Sequence, residues 1–337
     1  MLNMIRIALV GCGGMANWHA SVLKNIPECK VVGLVDVDPK RTAEFKQKYF
    51  NDAFELTDYE QLFLHPPQPV DAVVLVTPHT LHYAQAKRAL EAGLHVLCEK
   101  PMVTDSRHGY DLWKTIKSTG KHLSITFQAP YCAEYQAIKK LRETGQLGTV
   151  QLIQGWLAQG WLKATANTWR QDPALSGGGQ MYDSGSHVLN GMMWLMNEPV
   201  LEVACLIDNL GTAVDINGVA IMRFKSGAMG SVAIGGNSPG WNVDIRIQTD
   251  RLQVRTGPHG GYLECHRHGK PFYPEVPFDE SQSAFSPHLN FIRTLLGTEQ
   301  PQVVVRHGVL LSVLMDAMYE SARTQKPVKV EPVPDDL

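Results

Sequence analysis

Gly11-Cys12-Gly13-Gly14-Met15-Ala16 has the spacing GxGxxA and follows directly on the apolar run Ile5–Val10. The first glycine allows a tight turn, and the second lets a pyrophosphate approach the backbone. The small third position lets a helix pack closely on the strand, and the helix N-terminus attracts the phosphate charge. Asp36 closes a second apolar run, Val31–Asp36, 20 residues beyond Ala16. A carboxylate there accepts hydrogen bonds from the ribose hydroxyls of adenosine. Its charge also repels a 2′-phosphate, which favours NAD over NADP, although Lys40 and Arg41 can turn toward such a phosphate.

Three further residues have the chemistry of alcohol oxidation, in which a hydroxyl proton is removed while hydride leaves the same carbon. His187 is a suitable proton acceptor, because imidazole titrates near neutral pH. Asp183 stands four residues earlier, which on a helix places both side chains on one face. It can then orient the imidazole or a neighbouring hydroxyl. Lys100, in Glu99-Lys100-Pro101 after the run His95–Cys98, can donate to the reacting oxygen. His79 and His82, Asp183 and His187, and Cys265, His266 and His268 are spaced closely enough to raise the question of zinc. Hydride transfer with a lysine and a histidine needs no metal, and none is expected.

These groups need a scaffold. Ile5–Val10, Val31–Asp36, Ala72–Thr77, His95–Cys98 and Leu123–Thr126 read as buried parallel strands, with helical spacing between them, as over 79–92. The pattern predicts a doubly wound α/β parallel sheet of the Rossmann type over residues 1–127. Thr77-Pro78-His79-Thr80-Leu81-His82 and Glu99-Lys100-Pro101 then lie at its carboxyl edge, where such sheets bind ligands. From residue 128 to 337 the texture is that of an α+β domain. Val150–Leu157, Val200–Ile207, Gly218–Phe224, Met229–Ile234, Val243–Thr249 and Leu252–Thr256 predict a large, mostly antiparallel open sheet, with helices near 183–196 and 306–323. The tail with Pro327, Pro332 and Pro334 is expected to be extended and to return to the first domain.

A chain of 337 residues accommodates about two domains. Lys+Arg 31 against Asp+Glu 33 leaves a net charge of -2, without the basic excess of nucleic-acid or anionic-membrane binders. Six cysteines without a CxxC pair, and no apolar stretch near eighteen residues, point to a reduced, cytoplasmic protein. The expected partner is a small polyhydroxylated molecule.

The glycine motif, Glu99-Lys100-Pro101 and Gly177-Gly178-Gly179-Gln180-Met181-Tyr182-Asp183-Ser184-Gly185-Ser186-His187, in this order, resemble the Gfo/Idh/MocA family (glucose–fructose oxidoreductase, inositol dehydrogenase and rhizopine catabolism proteins). Gly145-Gln146-Leu147-Gly148, Trp169-Arg170, Glu320-Ser321 and Lys326-Pro327-Val328 extend the resemblance over nearly the whole chain. It implies that Lys100, Asp183 and His187 form the catalytic set. Besides the glycine loop and Asp36, Thr77, Pro78, His79, His82, Glu99 and Lys100 are expected at NAD; so is Gln128, although Gln128-Ala129-Pro130-Tyr131 departs from the Asn or Arg, followed by another aromatic or basic residue, common there in the family. Tyr131, Trp169 and Arg170, with the catalytic three, are expected at the substrate. Trp156, Trp161 and Trp241 share the second domain, and 158–168 is expected to form a substrate loop. Asn190 departs from the aspartate common in the family, which makes inositol a less secure substrate.

The activity so implied is NAD-dependent oxidation of a secondary hydroxyl of a sugar, sugar derivative or cyclitol. Alternatives are a glycosidase of the same family, using NAD for oxidation, elimination and re-reduction, or an NAD-binding regulator without turnover. A homodimer or homotetramer through the open sheet face is expected.

Overall fold

The computed structural model describes residues 4–274, 286–334 and 337. They divide into two compact units, one made of Met1–Val103, Arg107–Thr126 and Ser286–Val305, the other of Thr104–Ser106, Phe127–Phe285 and Arg306–Leu337.

In the first unit, β1 (Ile5–Val10), β2 (Cys29–Val35), β3 (Phe54–Leu56), β4 (Ala72–Leu75), β5 (His95–Cys98) and β6 (Leu123–Ile125) form a parallel sheet in the order β3-β2-β1-β4-β5-β6. The order reverses beside β1, which creates the crevice that doubly wound sheets use for ligands. Ile5, Ile7, Leu9, Val73, Val74 and Leu97 are wholly buried, as apolar runs covered on both faces require. Burial of each such side chain stabilises by roughly 1.5–3 kcal/mol. The helical spacing expected over 79–92 resolves into a 3₁₀ turn, His79–Leu81, followed by the helix His82–Glu91.

The returning segment carries the helix Pro287–Leu295, whose Phe291 and Ile292 are buried in the first unit's core. A single division after residue 127 assigns this helix to the second domain. Its apolar stripe instead completes the first core.

In the second unit, β7 (Val150–Ala158), β8 (Val200–Asp208), β9 (Asn217–Phe224), β10 (Met229–Gly235), β11 (Asn242–Thr249), β12 (Gln253–Thr256), β13 (Leu263–Arg267), β14 (Lys270–Pro271) and β15 (Val328–Lys329) form one sheet. Its order is β14-β13-β12-β11-β7-β10-β9-β8-β15. Every pairing is antiparallel except β10 with β7. Burial alternates cleanly along β9, with Val219, Ile221 and Arg223 facing outward. One sheet face therefore packs on helices while the other is exposed. The helix Gly185–Met196 lies against β7, and Ser321 of the helix Val305–Thr324 accepts a hydrogen bond from the Cys205 N–H of β8. The proline-rich tail adds a strand to the second unit's sheet. Val328 and Lys329 pair with Val203 and Glu202, because the exposed edge of β8 offers unpaired backbone groups.

Candidate functional site

The glycine loop leaves β1 through Gly11, whose φ is +88°. A Cβ there would lie 2.6 Å from the Val76 carbonyl oxygen, so the position excludes any side chain. Asp36, directly beyond β2, is buried and accepts from the Cys12 N–H at 2.7 Å and from the Asp38 N–H at 3.0 Å. It thereby ties the loop to the end of β2. Arg41 lies 3.9 Å from Asp36 and 3.7 Å from Asp38, paired with both acids. Above Gly13 and Gly14 the space is open, with no atom within 4 Å of a Cβ built at either. The helix Ala16–Leu23 that follows has no side-chain cap at Met15, and the Asn17 and Trp18 N–H groups of its first turn are satisfied by the Gly14 and Met15 carbonyls. An open cradle, an uncapped helix N-terminus and an acid at the end of β2 fit a dinucleotide. Cys12 contributes backbone only: burial and the nearby Asp36 push its thiol up to about 12.

Two loops at the carboxyl edge are joined by His82. Its wholly buried ring lies 2.9 Å from the Thr77 carbonyl and 2.8 Å from the Pro101 carbonyl. Burial lowers its pKa, with partial compensation from those two carbonyls. Thr77 donates to Gln85 at 2.6 Å, Pro78 precedes the 3₁₀ turn, and His79 is buried within it. Beyond β5, the Glu99 carboxylate accepts from His19, from Thr126 at 2.6 Å and from the Lys100 N–H at 3.1 Å. Burial alone would raise its pKa. The His19 side chain, first of all through its hydrogen bond, together with Lys100 and Thr126, outweighs burial and holds it well below the carboxylate range. The Lys100–Pro101 peptide is cis.

In the second unit the triple-glycine loop is folded around Asp215. Its carboxylate accepts from the Gly179 N–H at 2.6 Å and the Met181 N–H at 2.7 Å, and its carbonyl from the Gln180 N–H at 2.9 Å. Tyr319 donates its hydroxyl to the same carboxylate. A Cβ at Gly179 would lie 1.9 Å from the Asp215 carbonyl oxygen, so glycine is required there by close approach.

Asp183 lies in the turn before the helix Gly185–Met196, not within it, so it does not share a helix face with His187. The tight packing of the glycine loop on Asp215 delays the helix start. Asp183 is instead held by Trp161, whose indole N–H donates at 2.8 Å, and by Arg170 at 3.0 Å. The Arg170 guanidinium stacks on Trp169 at 4.5 Å. His187 is on the helix's first turn, its ring edge-on to His259 at 4.5 Å.

Trp161, Trp169, Arg170 and Asp183 are therefore one cluster. Trp161 and Leu162 belong to the 158–168 segment and pack against Val214 and Ile216. Gln128 caps the start of the 3₁₀ turn Ala129–Tyr131, and Tyr131, its last residue, is buried. Asn190 is buried on the helix, its Nδ2 without a hydrogen-bond partner among the described residues. Trp156 and Trp241 are exposed, Trp156 on the outer sheet face opposite the helix. Lys100 belongs to the first unit and Asp183 and His187 to the second.

Sequence reasoning missed Asp215, Tyr319, His19 and His288. Only Asp215 carried a local signal, an acid between the apolar Val214 and Ile216, both now buried. Among the described residues no group of three or more His, Cys, Asp or Glu is placed to hold a metal ion. No described helix is long and apolar enough to cross a membrane.

A family model described as "Oxidoreductase family, NAD-binding Rossmann fold" matches residues 5–127, and one described as "GFO/IDH/MocA C-terminal domain" matches residues 135–255. D-glucoside 3-dehydrogenase of Escherichia coli (strain K12) is 28% identical over 204 residues, 59% of this chain and 56% of the relative. The chain thus spans little more than half the length of that relative. Inositol 2-dehydrogenase of Rubrobacter xylanophilus is 23% identical over 272 residues, covering 77% of this chain and 73% of the relative. Among solved structures, the WlbA dehydrogenase from Bordetella pertussis in complex with NADH and UDP-GlcNAcA superposes with a TM-score of 0.87 at 26% identity, covering 98% of this chain and 99% of that one. The first unit is an NAD-binding Rossmann domain, and the chain belongs to the Gfo/Idh/MocA oxidoreductase family.

Proposed function

We propose that the protein is an NAD-dependent dehydrogenase that oxidises a secondary hydroxyl of a sugar, sugar derivative or cyclitol. The observation that carries this reading is the fixed Asp183 carboxylate, clamped by Trp161 and Arg170 four residues before His187. When bound, the nicotinamide ring supplies the hydride acceptor. His187 takes the hydroxyl proton, Asp183 orients the alcohol, and Lys100 donates to the oxygen as alkoxide character develops. Arg170, balanced by Asp183 and seated on Trp169, gives the pocket a rigid polar wall for a polyol. Gln128 and Tyr131 serve the cofactor amide and the pocket lining. The Asp36 carboxylate selects NAD over NADP, and turnover efficiency with NADP equal to that with NAD overturns that preference.

The deciding assay follows NADH formation across sugars and inositols. Lys100→Ala and His187→Ala are each expected to lower kcat by about 10²–10⁴-fold. Intact turnover in both variants overturns the mechanism. Release of an aglycone without net NADH would point to the glycosidase instead.

A second copy of the chain covers the outer sheet face in this reading. Leu206, Val219, Ala233 and Trp156 stand side by side across β8, β9, β10 and β7, and all but Ala233 are at least half exposed. Such a stripe favours burial by association. Light scattering is expected to give a dimer or tetramer that Val219→Glu weakens; a wild-type monomer excludes it. The six cysteines are free thiols, which suits a reducing cytoplasm.

A further inference from the structure

In the first unit a buried polar chain runs from the returning helix to the turn after β5. His288 Nε2 lies 2.7 Å from His19 Nδ1, and His19 Nε2 lies 2.9 Å from Glu99 Oε1. Both rings are wholly buried. Trp18 closes over them edge-on, at 4.8 Å from His19 and 4.9 Å from His288. Glu99 in turn holds the backbone N–H of Lys100 through its other oxygen.

Counting protons gives the chain a direction. An ionised carboxylate only accepts, so His19 Nε2 carries the hydrogen that faces Glu99. A neutral His19 then offers a bare Nδ1, and His288 Nε2–H donates to it. The remaining His288 Nδ1 has no partner among the described residues. In this arrangement that atom is a bare lone pair, whereas the reverse arrangement buries an orphaned N–H, the rarer defect in folded proteins. Burial lowers the His288 pKa strongly, and its neighbour His19 adds to this against the opposing Glu99. Around Glu99 the other titratable groups are Lys100, His82 and Cys98.

We infer that His19 and His288 are positioning residues, an uncharged one-way imidazole chain that fixes the Glu99 carboxylate and, through it, the backbone from which Lys100 departs. The inference rests on the proposed dehydrogenase reading for what Lys100 does, but the chain itself can be tested without turnover.

The full-length chain labelled with ¹⁵N-histidine is expected to show His19 and His288 as neutral Nε2–H tautomers at pH 7. An Nδ1–H or imidazolium signature at His288 overturns the chain. In NADH fluorescence titrations, His288→Phe is expected to weaken binding about tenfold at unchanged melting temperature, because His19, the donor to Glu99, loses the N–H that fixes its ring. His288→Gln, which keeps an N–H for His19, is expected to recover most of that loss. Affinities of both variants equal to wild type, or falling in step with the melting temperature, overturn the inference. Should His288→Phe fail to fold, the tautomer assignment on the wild-type chain decides. A wild-type chain that binds NADH yet turns over no substrate defeats the dehydrogenase reading alone.

Discussion

The two units hold their functional loops by different means. In the first, the glycine loop and the turns after β4 and β5 emerge side by side from one parallel sheet. Backbone pairing, Asp36, His82 and Glu99 each tie one turn to its neighbour. In the second, the triple-glycine loop is shaped by the single carboxylate of Asp215, which lies 36 residues from Gly179. Distributed anchoring tolerates the loss of one contact; concentrated anchoring does not.

The largest effect is therefore expected at Asp215. Asp215→Ala leaves the Gly179 and Met181 N–H groups and the Tyr319 hydroxyl without their acceptor, at a cost of about 4 kcal/mol. Urea melts read that loss, while NADH titration is expected to stay near wild type; equal damage to NADH binding breaks the contrast. Gly11→Ala comes next, forcing a β-carbon against the Val76 carbonyl at a positive φ, at about 2–3 kcal/mol. Here NADH affinity is expected to fall about 100-fold, and an unaffected affinity removes the glycine loop from the cofactor site.

Acid sharpens the contrast further. Burial lowers the pKa of His82, His95, His122 and His288, all in the first unit, with His122 pushed down to about 4. Below about pH 6.5 the unfolded chain binds protons that these folded imidazoles refuse, so stability is full above that value and falls toward pH 4. Between pH 7.5 and 5 the first unit is expected to lose about 2 kcal/mol in urea melts from His122 alone. A flat profile contradicts the neutral state of these rings. Glu99, held low, keeps its contribution through this window and loses it only at more acid pH. The smallest effect belongs to Trp161→Phe, which keeps an aromatic ring but removes the N–H donor to Asp183. About 1 kcal/mol is expected, read as a higher KM with NADH affinity unchanged.

What was legible in the sequence follows the same contrast. Gly11, Asp36 and the buried runs of β1, β4 and β5 act through neighbours close in the chain or through strand periodicity. β9 reads in sequence only as an apolar run, because its outward Val219 and Ile221 are as apolar as its inward Ala220 and Met222. The Asp183–His187 spacing was legible as a pair but not in its frame. The helix begins at Gly185 because Asp215, a remote residue, gathers the loop before it. The edge strands β3, β14 and β15 are three residues or fewer and show no period to read. The helix Pro287–Leu295 lies outside the predicted elements, and no local rule says which core its apolar stripe completes.

The returning helix also sets an order of assembly. The first unit contains the N-terminal Rossmann strands, but Phe291, Ile292 and His288 reach it only after some 290 residues have been synthesised. β7, the first long strand of the second unit, waits likewise, since its partners β10 and β11 begin at Met229 and Asn242. During translation both cores remain open for most of the chain's emergence, with β1, β4 and β5 paired but unsealed on the side that Phe291 will fill. The protein is thus one whose halves finish together, and a ribosome stalled before Ser286 releases two unfinished domains rather than one finished and one missing.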